Sequence, residues 1–228
     1  MKKFLVILLV LLIASGGAAG FAWSKRVSIV TGRIQADLTK LAGVDAIVTG
    51  IKVEAAAPLA RVLQVKIDKI KLKNPPNYKI PNMVLIRNIR LTAETVPFLL
   101  GQWKIKDLEA FIKRAALQVN AEGAMNLTAI PVFQSPSQNF GKNFEIGKLQ
   151  LKFGKLYYFD FKDPAKPERQ IKDLKGKVEF FENVRSPAVF FQVPVLKMMD
   201  EFNRGSFGLP RGQMMESLKS NVGSQANP

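Results

Sequence analysis

The residue types that most often carry enzyme chemistry are scarce in this chain. It contains no histidine and no cysteine, so it has no imidazole base, no imidazole metal ligand and no thiol nucleophile. Two carboxylate pairs are close in sequence, Asp107 with Glu109 and Asp160 with Asp163. We expect the first pair on the solvated face of a strand beside lysines such as Lys106, and the second pair at a strand end and turn. Neither pair is predicted to be a catalytic dyad.

Three short motifs also lack the context that their chemistry needs. Gly141-Lys142 and Gly154-Lys155 have no phosphate-loop sequence around them. Asn126-Leu127-Thr128 matches a glycosylation acceptor, but a cap or turn after Gly123 is the better interpretation. We therefore predict that the protein is not an enzyme and has no catalytic residues, no metal site and no cofactor.

The composition describes a basic, globular protein. The sequence has 34 Lys and Arg against 18 Asp and Glu, a formal net charge of +16, and 47% hydrophobic residues. Such charge serves nucleic-acid binding, an anionic membrane surface or solubility. Because the lysines alternate singly along predicted strands and no known nucleic-acid-binding motif is present, we expect no nucleic-acid partner. The absence of cysteine is compatible with an oxidising compartment but does not demonstrate one.

The residues from Val62 to Leu127 dominate the organisation of the chain. Three long segments alternate charged and branched apolar residues, which predicts three strands. A turn at Asn74 to Asn77 separates the first two strands, since Pro75 ends strand pairing and Asn77 tolerates a positive φ. A short apolar stretch from Val96 to Gly101 separates the second from the third.

This stretch resembles the first module of the AsmA family of bacterial envelope proteins. The run from Ile146 to Asp160 is also similar to an AsmA strand that ends with an aromatic residue and an Asp. Asn77 stands where the family commonly has glycine, which is a conservative difference because both tolerate positive φ. The marks of the resemblance in the first stretch are Asn74, Pro75, Tyr78, Gly101, Gly123, Asn126 and Leu127.

The resemblance implies an exported body behind a membrane anchor, and grooves that carry phospholipid between the two bacterial membranes. AsmA proteins that bridge the envelope are many times longer than this chain. It therefore resembles an isolated first module, which could collect lipid at the inner membrane, pass it to a partner, or hold an assembly in place.

Residues 1–24 are predicted to be a membrane anchor or a signal segment. The uncharged run from Phe4 to Trp23 covers 20 residues, or roughly 30 Å as a helix, which matches a bilayer core. A cleaved export signal is the alternative, because the most apolar part ends at Ala14 and small residues follow it. A retained anchor is favoured by an interfacial belt of Trp23, Lys25 and Arg26. With the resemblance, this places the chain in the bacterial inner membrane, single-pass, with its main domain in the periplasm.

The predicted fold class is α+β and mainly antiparallel β. The N-terminal transmembrane or signal helix is followed by an elongated, curved, gutter-like sheet with short helices at its ends. Residues 25–185 form the helix-plus-sheet module, 186–221 the C-terminal amphipathic helices and 222–228 a disordered tail. The further elements predicted are a helix over Val27–Leu41, a strand pair or a bent strand around Gly50 within Val44–Val53, a short helical or irregular start followed by a loop over Thr128–Asn143, strands over Phe144–Phe161 and Ile171–Val184, and helices over Pro187–Arg204 and Pro210–Ser220.

Strand alternation assigns the side chains to two faces. In the strand from Phe144, one face is predicted to carry Leu149, Leu151, Phe153, Tyr157, Phe159 and Phe161. The alternation slips by one residue near Asp68 and Gly154, as a β-bulge would cause. In the last strand, Leu174, Val178, Phe180 and Val184 are predicted to share a face.

With the resemblance, we predict that the protein binds phospholipid and takes part in lipid transport or outer-membrane biogenesis, although the patterns alone leave two functions open. A curled sheet could keep a concave apolar groove for phospholipid acyl chains, in which each buried CH₂ gains about 0.8 kcal/mol. Alternatively, the apolar faces form an ordinary covered core, and the protein is a non-enzymatic scaffold that binds an envelope partner through its methionine-rich C-terminal helices. The candidate groove residues are Leu85, Ile89, Leu91, Leu149, Leu151, Phe153, Val178 and Phe180.

Overall fold

The computed structural model describes residues 44–55, 61–100, 102–130, 144–186 and 189–202, together with residues 32, 34–36 and 39. Several predictions therefore lie outside the described residues. They are the anchor and its flanking Trp23, Lys25 and Arg26, most of the loop 128–143, the helix predicted over 210–220, and the tail.

The described chain forms one seven-stranded sheet that is mainly antiparallel and carries few helices, as the sequence predicts. Strands β1 to β5 follow each other in space as in sequence, and β6 and β7 both pair with β5. The strands are β1 (Ala46–Ala55), β2 (Val62–Lys73), β3 (Asn82–Glu94), β4 (Trp103–Val119), β5 (Phe144–Asp160), β6 (Glu168–Asp173) and β7 (Val178–Val184). The helices are α1 (Thr95–Leu99), a short 3-10 helix (Asn126–Ala129) and α2 (Val189–Glu201).

The pairing of β4 with β5 is parallel, whereas the other pairs are antiparallel. The two strands run side by side from the Trp103–Phe144 pair to the Val119–Asp160 pair. Parallel strands need a long crossover connection, which residues 120–143 supply. Strand periodicity does not reveal this direction.

The prediction of one continuous strand over Ile171–Val184 is wrong. The chain instead forms β6 and β7, which pair with successive parts of β5 and are separated by a turn at residues 174–177. Lys175 and Gly176 have positive φ values of 49° and 78° in this turn. On β5, Phe153 and Gly154 bond to the two ends of the turn: the Phe153 amide donates to Lys177 O, and the Leu174 amide donates to Gly154 O.

At one level of the sheet, the alternation of side chains between the two faces slips in neighbouring strands. Gly50 (φ 72°) on β1, Asp68 on β2 and Asn88 (φ 51°) on β3 stand at one level of the sheet, where the ladders skip a pair. The buried residues of β2 are Leu63, Val65 and Ile67 before this level, and Ile70 and Leu72 after it. The predicted slip near Asp68 and the bent strand at Gly50 are thus confirmed.

Two similar slips occur in the parallel pair. The ladder omits Lys106 opposite Gly147 and Lys113 opposite Gly154. A Cβ atom on Gly154 would lie 2.6 Å from the Lys113 carbonyl oxygen, and one on Gly147 would lie 2.9 Å from the Lys106 carbonyl oxygen. These positions therefore require glycine because another backbone passes too close for a side chain.

One face of the sheet, called here the core face, carries the buried side chains. They form one hydrophobic cluster with α2, with Ile34 of the N-terminal helical segment, and with Met125, Leu127 and Ile130 beside the 3-10 helix. The opposite side of the sheet is called the outer face. Its exposed positions are rich in lysine and arginine, for example Lys52, Arg87, Arg90 and Lys104.

Candidate functional site

Most of the predicted groove residues lie in the core. Ile89 and Leu91 are 5% and 4% exposed, Leu149 is 1% exposed, and Leu151 and Phe153 are 0% exposed. Side chains this well covered are surrounded by other protein atoms. In the described part of the chain, these five residues fill the core face and do not line an open channel.

The other three groove candidates lie on a different surface, which corrects the prediction that all eight share one face. Leu85 is half-buried and pairs laterally with Lys71 and Arg114, on the side opposite to its buried neighbours in β3. Val178 and Phe180 stand beside Lys152 and Gln150 and are 36% and 66% exposed. Strand alternation is the cause, since only every second residue reaches the core face.

The slip predicted near Gly154 is confirmed, and it corrects the face predicted for the β5 residues beyond it. Leu149, Leu151 and Phe153 are buried before the slip, and Leu156 and Tyr158 are buried after it. Tyr157, Phe159 and Phe161 therefore belong to the outer face, where Phe159 is buried (8% exposed) outside the core cluster. The β5 aromatics predicted to share the groove face are divided between the two sides of the sheet.

Helix α2 packs on the core face and is buried almost all round. Its Val193, Val195 and Met198 are at most 3% exposed. At its end, the Phe202 ring lies 6.0 Å from the Tyr158 ring of β5. Lys197 forms an ion pair with Glu179 of β7. Burial alone would lower the pKa of Lys197, but the hydrogen bond and charge of Glu179 outweigh it, so the pKa lies above 10.5.

Two marks of the family resemblance, Asn74 and Asn126, meet in a cluster of amide side chains. Asn126, fully buried, accepts a hydrogen bond from the Gln118 amide (3.1 Å) and donates to the Ala116 carbonyl (3.0 Å). It also donates to the Asn74 side chain at 2.7 Å. Gln118 in turn accepts from the Ile80 amide at 2.8 Å. The cluster joins the β2–β3 turn to β4, so its role in this structure is to hold strands together.

The carboxylates named from the sequence lie where they were expected. Asp107 and Glu109 are exposed on β4, and the residue between them, Leu108, is buried. Asp160 accepts from the Tyr158 hydroxyl and from the Lys162 amide, both at 3.0 Å. Asp163 accepts from the Ala165 amide at 2.9 Å. Within the described residues, no group of three His, Cys, Asp or Glu is placed to hold a metal ion.

The outer face carries a feature that sequence reasoning missed, called here the cation–aromatic stripe. Tyr157, Phe159 and Phe161 stack along β5, with ring centroids 6.0 and 6.2 Å apart. Arginines from the two neighbouring strands flank this column. The stripe consists of Lys79, Phe111, Arg114, Lys152, Tyr157, Phe159, Phe161 and Arg169.

The strongest concentration of charge in the stripe surrounds Tyr157. The guanidinium carbons of Arg114 and Arg169 lie 4.8 and 5.8 Å from its ring centroid. Arg169 also lies 5.8 Å from the Phe159 centroid. Each such contact stabilises by about 0.5–1 kcal/mol at an exposed site. The Tyr157 ring therefore has a cation from each neighbouring strand beside it.

These two arginines take part in none of the ion pairs found among the described residues. The Arg114 Nε atom is buried and has no hydrogen-bond partner among the described residues. The ion pairs of the described residues involve other cations, namely Lys66, Lys73, Lys155 and Lys197. No sequence signal reveals this arrangement, because residues 114, 157 and 169 come together only through strand pairing.

Across the described residues, no helix is long and apolar enough to cross a membrane, and residues 1–31 lie outside that set. Three features of the described residues bear on function: the filled core face, the amide cluster and the cation–aromatic stripe. Comparison of the chain with protein-family models, curated proteins and solved structures finds no match.

Proposed function

We propose that this chain is a non-enzymatic envelope protein of the AsmA type that serves as a membrane-anchored scaffold or assembly subunit. The observation that carries this choice over a lipid carrier is the filled core face. Leu151 and Phe153 are 0% exposed, and α2 packs on the same side of the sheet. An apolar groove needs uncovered apolar side chains, and these residues are already in contact with protein.

The proposed location follows from the resemblance and from the N-terminal sequence. Residues 1–24 would anchor the chain in the inner membrane as a single pass, with Trp23, Lys25 and Arg26 at the interface and the sheet in the periplasm. The net charge of +16 supports a position beside anionic headgroups.

A curved sheet is part of this proposal. Bulges bend strands and increase their twist. Matched irregularities cross β1 to β3 at Gly50, Asp68 and Asn88, and cross β4 and β5 at Gly147 and Gly154. These five positions support a sheet that bends toward α2.

The experiment that tests the scaffold proposal measures lipid in the folded domain. A protease site placed after Ser24 allows the purified full chain to release residues 25–228. Native mass spectrometry of the released domain is expected to show the protein mass alone. A released domain that retains phospholipid, confirmed by lipid extraction, would replace the scaffold proposal by lipid carriage.

Acyl-chain carriage is the second candidate, and the observation that favours it is α2 itself. A mostly apolar and mostly buried helix occupies the space in which acyl chains would lie, and one ion pair, Lys197 with Glu179, joins it to β7. If the helix is a removable occupant, Glu179→Gln should increase the lipid found by the same mass measurement. An unchanged, lipid-free mass in this variant counts against carriage.

A further inference from the structure

The part of the outer face formed by β5, β6 and β7 places exposed apolar side chains beside the cation–aromatic stripe. Ile171 stands laterally beside Tyr157 in the β5–β6 ladder and is 46% exposed. Val178 and Phe180 stand beside Lys152 and Gln150 and are 36% and 66% exposed. These three residues are among the few large hydrophobic residues that the described surface exposes, and they lie on the same side of the sheet as the two arginines.

We propose that this region of the outer face docks on an anionic bilayer surface. Arg114 and Arg169 bind lipid phosphate groups, and Ile171, Val178 and Phe180 enter the interfacial layer. Guanidinium groups match phosphate oxygens with paired N–H donors. Apolar side chains beside cations are typical of segments that lie in a membrane interface. This docking goes beyond the anchoring proposed for residues 1–24.

The aromatic rings of the stripe already contact each other and cations, which argues against nucleic acid as the partner. Single-stranded nucleic acids bind aromatic side chains by stacking bases on free ring faces. Here Tyr157 and Phe161 both stack on Phe159, and Arg114, Arg169 and Lys79 lie over rings of the column. The rings are therefore engaged in positioning cations.

A free phosphate would satisfy the arginines but not the apolar residues. Phosphate recognition is common to a soluble anion and to a lipid headgroup, whereas exposed Ile171, Val178 and Phe180 gain only from an apolar layer. Because the arginines and the exposed apolar residues lie on one face, this surface suits a lipid better than a free phosphate. The net charge of +16 also favours an anionic membrane.

Vesicle flotation tests the docking. The full chain, held in phosphatidylcholine nanodiscs, is mixed with vesicles of phosphatidylcholine alone or of equal parts phosphatidylcholine and phosphatidylglycerol. Flotation with the anionic vesicles only is expected. Arg169→Gln should weaken this partitioning about fivefold, and the double variant with Arg114→Gln should weaken it further by a similar factor.

The matched control removes the same charge elsewhere on the surface. Lys52→Gln with Lys104→Gln also lowers the net charge by two, at exposed positions outside the stripe. The control should retain most of the partitioning. Equal loss in both double variants, or equal flotation with neutral vesicles, overturns the proposal. Arg169 is exposed, so its single variant remains informative if Arg114→Gln fails to fold.

Insertion of the apolar residues is tested with a single label. Because the chain has no cysteine, Phe180→Cys can carry one environment-sensitive fluorophore. Anionic vesicles should shift its emission to the blue, whereas a label on Asp200→Cys, at an exposed position of α2, should not respond. A blue shift with inorganic phosphate or with single-stranded DNA in place of vesicles, or no shift with anionic vesicles, contradicts docking on a bilayer.

Discussion

The Asn126 side chain supplies hydrogen bonds to backbone groups of β4 that have no partner in β3. Beyond the Val84–Ala115 pair, β3 no longer pairs with β4, and the Asn126 amide bonds to both Gln118 N–H and Ala116 C=O. Each of these backbone groups would otherwise be buried without a partner. An unsatisfied buried polar group costs about 1–3 kcal/mol.

We therefore expect Asn126→Ala to lower the free energy of unfolding by about 2–4 kcal/mol, since two backbone groups lose their partner. Urea denaturation of the full chain in nonionic detergent measures the change. The matched control is Asn77→Ala in the exposed β2–β3 turn, which should change stability by less than about 1 kcal/mol. Similar values for the two variants would mean that the amide cluster does not hold the strands.

The amide cluster and the cation–aromatic stripe differ in how well the sequence predicts them. Asn74 and Asn126 were both singled out as marks of the resemblance, and the structure places their side chains 2.7 Å apart. The pairing of Arg114 with Tyr157 and Arg169 had no comparable signal. Lateral neighbours depend on strand order and register, which single-strand periodicity does not contain.

Among the elements, the parallel pair of β4 and β5 depends on glycine at its slips. We expect Gly154→Ala to destabilise the protein by about 1–3 kcal/mol, because its new methyl group would lie 2.6 Å from a backbone oxygen that has little room to move. Gly147→Ala, with a separation of 2.9 Å, should cost less. Thermal unfolding followed by circular dichroism ranks the two variants, and the reverse order would contradict the argument.

Helix α2 should show a pH dependence through Lys197. Its pKa is raised above 10.5, so the stability that the ion pair with Glu179 supplies is complete below about pH 10.5 and is lost as the pH rises through the folded-state pKa. The stability difference between wild type and Glu179→Gln should therefore be present at neutral pH and shrink at alkaline pH. Urea denaturation at several pH values measures this difference.

The control for Lys197 is the exposed pair of Lys66 with Glu54. These side chains are 44% and 49% exposed, and exposed pairs stabilise by about 0–1 kcal/mol. Glu54→Gln should therefore have a smaller effect than Glu179→Gln at neutral pH. Equal effects would mean that burial adds nothing to the docking of α2.

Periodicity located most elements but not their connections. It predicted β2, β3, β4 and the short helix α1, because alternation and turn residues are local properties. It predicted one strand where the structure has β6 and β7. The sequence Asp-Leu-Lys-Gly, which begins at Asp173 and ends at Gly176, is nevertheless typical of a turn. Periodicity also indicated the slip near Gly154, but the prediction still placed Tyr157, Phe159 and Phe161 on the face of Leu149, whereas the slip moves these later side chains to the other face.

For the molecule as a whole, the decisive question is whether the core face is filled. A sheet with one apolar and one lysine-rich face fits both an open groove and a covered core. In the structure most side chains of α2 are apolar and buried against the core face, so the helix covers part of the sheet, and Asp200 is exposed.

Leu151 and Leu85 provide a matched pair that tests this conclusion. Leu151 is 0% exposed on β5, whereas Leu85 is half-buried on the outer face of β3. A carboxylate at position 151 has no route to water, and burying an unpaired charge costs several kcal/mol, a large part of the 5–15 kcal/mol that stabilises a typical domain. We therefore expect Leu151→Asp to unfold the protein and Leu85→Asp to leave it folded, as judged by circular dichroism and gel filtration. A folded Leu151→Asp variant would mean that the core face opens to water or lipid. It would favour acyl-chain carriage over the scaffold function.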